Sequence, residues 1–179
     1  MADARARVLI LGSLPGARSL QLQQYYGLPR NAFWRILSAV TGVDAVADYA
    51  ARLAGLKRCG IALWDVIATA RRRGSLDAAI DRDGLVVNDF ATFFAAHPRI
   101  ERICCNGATA AALYRRWVLP TLPAPVAALP LQTLPSTSPA HAALDYSVKL
   151  AAWRSVLDCA QRQTRSNFSP RHSAEKVTP

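Results

Sequence analysis

Five short strings hold the residues with chemical potential. Gly12-Ser-Leu-Pro-Gly16 follows an apolar run, and Tyr25-Tyr26-Gly-Leu-Pro-Arg-Asn31 precedes a Phe-Trp pair. Trp64-Asp65 and Asn106-Gly107 each close a further apolar run, and Pro135-Ser-Thr-Ser-Pro139 is followed by His141. The first string does not support phosphate-cradling or acyl chemistry. Its spacing is G-x-x-x-G, whereas a dinucleotide fingerprint needs G-x-G-x-x-G, and a P-loop needs a longer gap and a Lys where Ala17 stands. Nor is it a nucleophile elbow, because Ser13 directly follows the first Gly. What remains is positioning chemistry: amides that orient a water, a carboxylate that accepts from an N–H donor, and hydroxyls that grip phosphate. Each residue also has a bland role open to it. Asn31 suits a helix N-cap, Asp65 a cap or ion pair, Asn106 a structural amide and His141 an exposed surface.

These strings need a scaffold, and the pattern between them supplies one. Arg7–Gly12, Cys59–Val66 and Arg99–Asn106 read as buried strands, each ending at one of the strings. Helical spacing covers Asn31–Thr41, Asp44–Lys57 with Asp44 as its cap, a short stretch from Ser75, Asn88–Ala96 capped by Asn88, Ala108–Trp117 and Ala140–Ala160. The four prolines of Leu119–Pro130 imply a loop with an edge strand, and Leu131–Leu134 leads into the Pro135 turn. Strands separated by helices imply a mainly parallel sheet covered on both faces, with ligands at the carboxyl ends of the strands. All the candidate strings but Tyr25–Asn31 follow strands. We expect one domain over 1–160 and a basic, disordered tail over 161–179.

Charge points to the partner. Twenty-two Lys and Arg against twelve Asp and Glu give +10, and only Lys57, Lys149 and Lys176 are lysines. Arginine forks suit phosphate, so nucleic acid is the first partner to consider, beside a merely soluble basic surface. The tail from 160 holds four basic side chains against Glu175, so the excess does not lie there alone. Cys59, Cys104, Cys105 and Cys159 form no C-x-x-C pair, which leaves buried thiols in a reducing compartment as the expectation. No apolar run approaches membrane-spanning length, and the N-terminal run enters a Gly-Ser turn without a cleavage signature. A cytoplasmic monomer with neither metal nor cofactor follows as the expectation.

Taken in order, VLILGSLPG, QYYGLPRNAFWRIL, GIALWDVI, ICCNGATAAALY and LPSTSPAHA resemble the motifs of the uracil-DNA glycosylase superfamily, and most closely its hypoxanthine-DNA glycosylase branch. The resemblance spans residues 7–158. It implies a three-layer α/β/α sandwich with a four-stranded, mainly parallel central sheet. It implies an enzyme that flips a deaminated base out of DNA and hydrolyses its N-glycosidic bond, since that bond is unreachable inside the stack.

The resemblance also distributes roles. Several related families hold the attacking water with an Asp or Asn where this chain has Leu14; the hypoxanthine branch relies instead on the Asn that maps to Asn31. Gly12, Ser13 and Leu14 then line the base pocket. Asp65 stands where sister enzymes read the base edge, Tyr26 where an aromatic ring stacks on the base, and Asn106 is a second base contact. Ser136, Thr137, Ser138 and His141 belong to the loop that grips DNA, although its usual His is Leu134 here. No lysine falls in a motif, so a monofunctional enzyme is expected. Three rivals stay open: a uracil-preferring member of another branch, a damage-binding protein without turnover, and a nucleotide-binding protein unrelated to DNA.

Overall fold

Side-chain alternation along the apolar strands decides the architecture. In β1 (Val8–Gly12), Leu9 and Leu11 enter one core while Val8 and Ile10 enter another. The structure, a computed structural model, describes residues 1–74 and 76–166, with the side chains of 156 and 158–166 left out. β1 is flanked by β2 (Ile61–Asp65) and β5 (Arg102–Asn106), and β6 (Leu131–Leu134) pairs outside β5. The order is β2-β1-β5-β6 and every pairing is parallel. α2 (Phe33–Thr41), α3 (Tyr49–Arg58) and α7 (Tyr146–Ser166) cover one face with Phe33, Ile36, Leu37, Leu56 and Trp153. α4 (Phe90–Ala96) and α5 (Ala108–Leu113) cover the other through Phe90, Phe94, Ala110 and Leu113. This is the expected α/β/α sandwich.

Several boundaries differ from expectation for local reasons. Asp48, not Asp44, caps α3 by accepting the Ala51 N–H, whereas Asp44 is spent on a turn to Val46, which is 91% exposed. Asp89 caps α4. Asn88 instead sends its Nδ2 to the Asp65 carbonyl oxygen and so fixes the exit of β2. The proline-rich stretch holds no strand: Leu119–Thr121 is a 3-10 turn and α6 (Ala124–Ala127) a single helical turn, both started by prolines that suit a first turn. The edge strand begins only after Pro130. α7 starts six residues later than expected and continues to Ser166, because Gln161, Arg162 and Gln163 are good helix formers and no Gly or Pro interrupts them. The rest of the expected tail, with His172, lies outside the described residues, as do Ser75 and the side chains of Val156 and Cys159. A small antiparallel pair, β3 (Ile67–Thr69) with β4 (Val86–Val87), was not foreseen.

Cys104 and Cys105 are buried, which pushes both thiols up to about 12 and leaves them inert. Among the described residues no helix is long and apolar enough to cross a membrane.

Candidate active site

Parallel register places the site. Gly12 pairs with Asp65 across β1 and β2, and both fall on the same face as Val8, Ile10, Ile61 and Leu63. Asn106 is two residues past Cys104, so it emerges on that face too. Three strands thus end together with a Gly, a carboxylate and an amide side by side. The Gly is required by its neighbour: a Cβ at residue 12 would fall on Asp65 Oδ1. Gly12→Ala is therefore expected to cost about 1–3 kcal/mol of stability, the scale of overpacking, and to displace the carboxylate. Thermal melting and the Asp65 carboxyl NMR titration together check this, and an unchanged titration would show that Asp65 does not depend on the gap.

Asp65 is 9% exposed, and among the described residues its carboxylate accepts no hydrogen bond, the Asn88 amide going to its backbone carbonyl. Burial pushes its carboxyl up to about 7. The terminal ammonium and Arg72 pull it down and Asp77 pushes it up, without undoing the effect of burial. A carboxylate held near neutrality in a cleft is a functional signature rather than a stabilising one.

Arg72 and Asp77 are residues the motifs did not reveal. Arg72 folds back from the β3–β4 connection, its side chain only 6% exposed, and donates to the carbonyl oxygens of Leu14, Pro15 and Gly74. Ser13 Oγ donates to Asp77 Oδ1 at 2.7 Å. The Gly12–Gly16 loop is thereby braced from outside, and its own side chains need not hold it. Nothing in the run Arg71-Arg72-Arg73 marks the middle member as the buried one.

Asn31 lies across the cavity, at the entrance to α2. Its Oδ1 accepts the Phe33 N–H at 2.9 Å and its own N–H donates to Leu28 O. The N-cap position of α2 is Ala32 and no side chain caps it, so Asn31 is not the cap the sequence suggested; its contact is a turn one residue outside the helix, which spends one lone pair of two and fixes the amide in place. Tyr26 adopts φ 54, in the left-handed region, and stacks on Phe33 at 3.7 Å with an 18° tilt. One ring face is taken by the core. Its hydroxyl lies near Asn106, and burial raises its pKa above the ordinary phenol value.

The last loop is stapled rather than free. Asn106 Nδ2 donates to Thr137 Oγ1 and its Oδ1 accepts the Thr137 N–H, each at 2.9 Å. Thr137 O in turn accepts the Ala32 N–H. Thr137 is 1% exposed, so its hydroxyl does not grip phosphate as the motif suggested; it ties the loop to β5 and α2. Ser136 and Ser138 are half-buried and their hydroxyls accept the Ser138 and Ala140 N–H groups. His141 is exposed at the rim. Gly107, at φ +102, lets the chain pass against Ser136, where a Cβ would sit 3.0 Å from that side chain.

These pieces enclose a cavity of about 1000 Å³, lined among others by Gly12, Ser13, Leu14, Tyr26, Asn31, Asp65, Asp77, Asn106, Leu134, Ser136 and His141. Every residue proposed from the sequence meets there, with Thr137 facing inward. Among the described residues no group of three His, Cys, Asp or Glu is placed to hold a metal ion.

Residues 1–157 match the family model of the Uracil DNA glycosylase superfamily. The chain belongs to that superfamily. Two curated relatives, each named hypoxanthine DNA glycosylase, are 40% identical: one from Methanosarcina barkeri over 106 residues and one from Methanosarcina acetivorans over 107. Each match covers 59% of this chain and 66% of the relative, just under two thirds of its length. The solution NMR structure of a Methanosarcina acetivorans protein, provisionally described as a uracil DNA glycosylase, superposes with a TM-score of 0.74 at 32% identity. That superposition covers 89% of this chain and 94% of the other. That superposition agrees with the parallel four-stranded sheet.

Proposed function

We propose that the chain is a monofunctional DNA glycosylase that flips a deaminated base, hypoxanthine or uracil, into this cavity and hydrolyses its N-glycosidic bond, leaving an abasic site for base excision repair. The observation that carries the reading is the presence of Asn31 and Asp65 together in the lining of one pocket at the strand ends. Hypoxanthine presents an N1–H and uracil an N3–H, and the Asp65 carboxylate accepts either. Asn31, locked by the Phe33 N–H, keeps an acceptor lone pair to orient a water toward the sugar. The C1′–N bond breaks, its electron pair leaves with the base as an anion, and the oriented water adds to C1′ and loses a proton. Among the described residues no lysine lines the cavity, which supports hydrolysis without a lyase step. The relatives' names support hypoxanthine as the leading substrate.

The test uses labelled oligonucleotides carrying hypoxanthine, uracil or xanthine, incubated with the chain and then treated with alkali. We expect strand cleavage with hypoxanthine, and with uracil to a lesser degree. Tight binding to these duplexes with no alkali-labile product would favour a damage-binding protein without turnover, the reading that Leu14 and Leu134 leave open.

A further inference from the structure

Lys149 is buried, at 5% exposure, and the proposed chemistry makes no use of it. Its Nζ donates to the His141 carbonyl oxygen at 2.7 Å. Among the described residues no carboxylate stands within ion-pair distance of it. It also lies in the first turn of α7, which holds no acidic residue, so the positive end of a helix and a buried ammonium stand together. An uncompensated buried charge is costly unless an anion reaches it. The loop in front of it is arranged to meet one. Because the His141 carbonyl points inward to Nζ, the N–H of the same planar peptide, that of Ala142, points outward. Ala142 is exposed and its N–H has no partner among the described residues.

We infer that Lys149 and the outward backbone of His141–Ala142 form the seat of one DNA backbone phosphate beside the flipped nucleotide. The inference rests on the glycosylase reading and extends it, since no recognised motif contains Lys149. The loop supplies direct contact, and the lysine supplies both the charge behind it and the orientation of the peptide.

The experiment measures affinity of the full chain and of Lys149→Met for an undamaged duplex and for one with an uncleavable abasic analogue, across a salt series. Loss of one phosphate contact should make the slope of log K against log salt shallower by about 0.9, and weaken binding about eightfold at 0.1 M salt. Both DNAs should lose affinity by the same factor, and Lys149→Arg should recover the slope. A lower melting temperature with an unchanged slope would overturn the inference and leave Lys149 a loop support. The wild-type protein gives a reading independent of any variant: on adding duplex, the Ala142 amide resonance should shift, and a resonance that stays in place overturns the seat. Failure of the wild-type chain to bind duplex at all would instead overturn the glycosylase reading itself.

Discussion

Replacing Asn31 by Ala is expected to slow single-turnover excision by about 10²–10³-fold, or about 2.7–4 kcal/mol, the scale of removing one preorganised polar group from a reacting centre. Affinity for an uncleavable analogue should change far less. The same substitution removes the Oδ1 acceptor from the Phe33 N–H at the start of α2, and that loss is worth about 1 kcal/mol of stability. The substitution thus tests the proposed water-positioning role and the turn contact at once, and the sizes of the two effects separate them. Asn31→Ser sharpens the test, because a serine restores a capping oxygen but cannot place an amide in the cavity. It should recover most of the melting temperature and little of the rate. If it recovers both, Asn31 only supports the turn into α2 and the water is held elsewhere.

The second large effect is expected at Asp65. On the proposed reading, above about pH 7 its carboxylate should accept the ring N–H of hypoxanthine or uracil and repel the ring lone pair that adenine and cytosine present in the same place. Below pH 7 the protonated acid offers an O–H to that lone pair, so discrimination against the normal bases should fall with pH. Asp65→Asn can turn an NH₂ inward at any pH, and should show relaxed discrimination without the pH dependence. Asp65→Leu leaves the base donor unsatisfied, at a cost of roughly 1–3 kcal/mol. Single-turnover excision of the four bases at two pH values decides the matter. A common factor on all four rates would make Asp65 a scaffold residue, with Asn106 the next candidate.

Stability gives an independent reading of the same group. The Asp65 carboxyl titrates near 7 when folded, against 3.8 as its ordinary value. Between those values the native state carries a proton that the unfolded chain has lost. Stability is therefore fully retained below about pH 4 and falls as pH rises through 7, by on the order of 4 kcal/mol if this group acted alone. Asp65→Asn removes that dependence and should raise the melting temperature at pH 8. A protein made more stable by losing its base-reading side chain is the expected trade between stability and function.

The sequence by itself determined β1, β2 and β5, their order of appearance and the strings that end them. Those signals are local: apolar runs of strand length, and turn or polar residues at the ends of β1, β2 and β5. It located Asp65 and Asn106 for the same reason, since each is a polar residue at the end of an apolar run, whereas Asn31 was singled out by the resemblance of its string to the glycosylase motifs. Helix starts were legible only to within a few residues. Asp44 and Asp48 are equally good caps by type; in the structure Asp44 closes a turn onto the Val46 N–H, and Asp48 accepts the Ala51 N–H and caps the helix. Tertiary structure alone decided the remainder. The parallel register set Gly12 against Asp65, and burial from several elements raised that carboxyl toward neutrality. Arg72 was selected from three consecutive arginines because only its side chain reaches the Leu14 and Pro15 carbonyls. Thr137, which the motif presents as a DNA contact, turned inward because Asn106, 31 residues earlier, offers both a donor and an acceptor to it. Each of these outcomes is a contact between residues distant in the chain, and short-range pattern carries no record of such contacts.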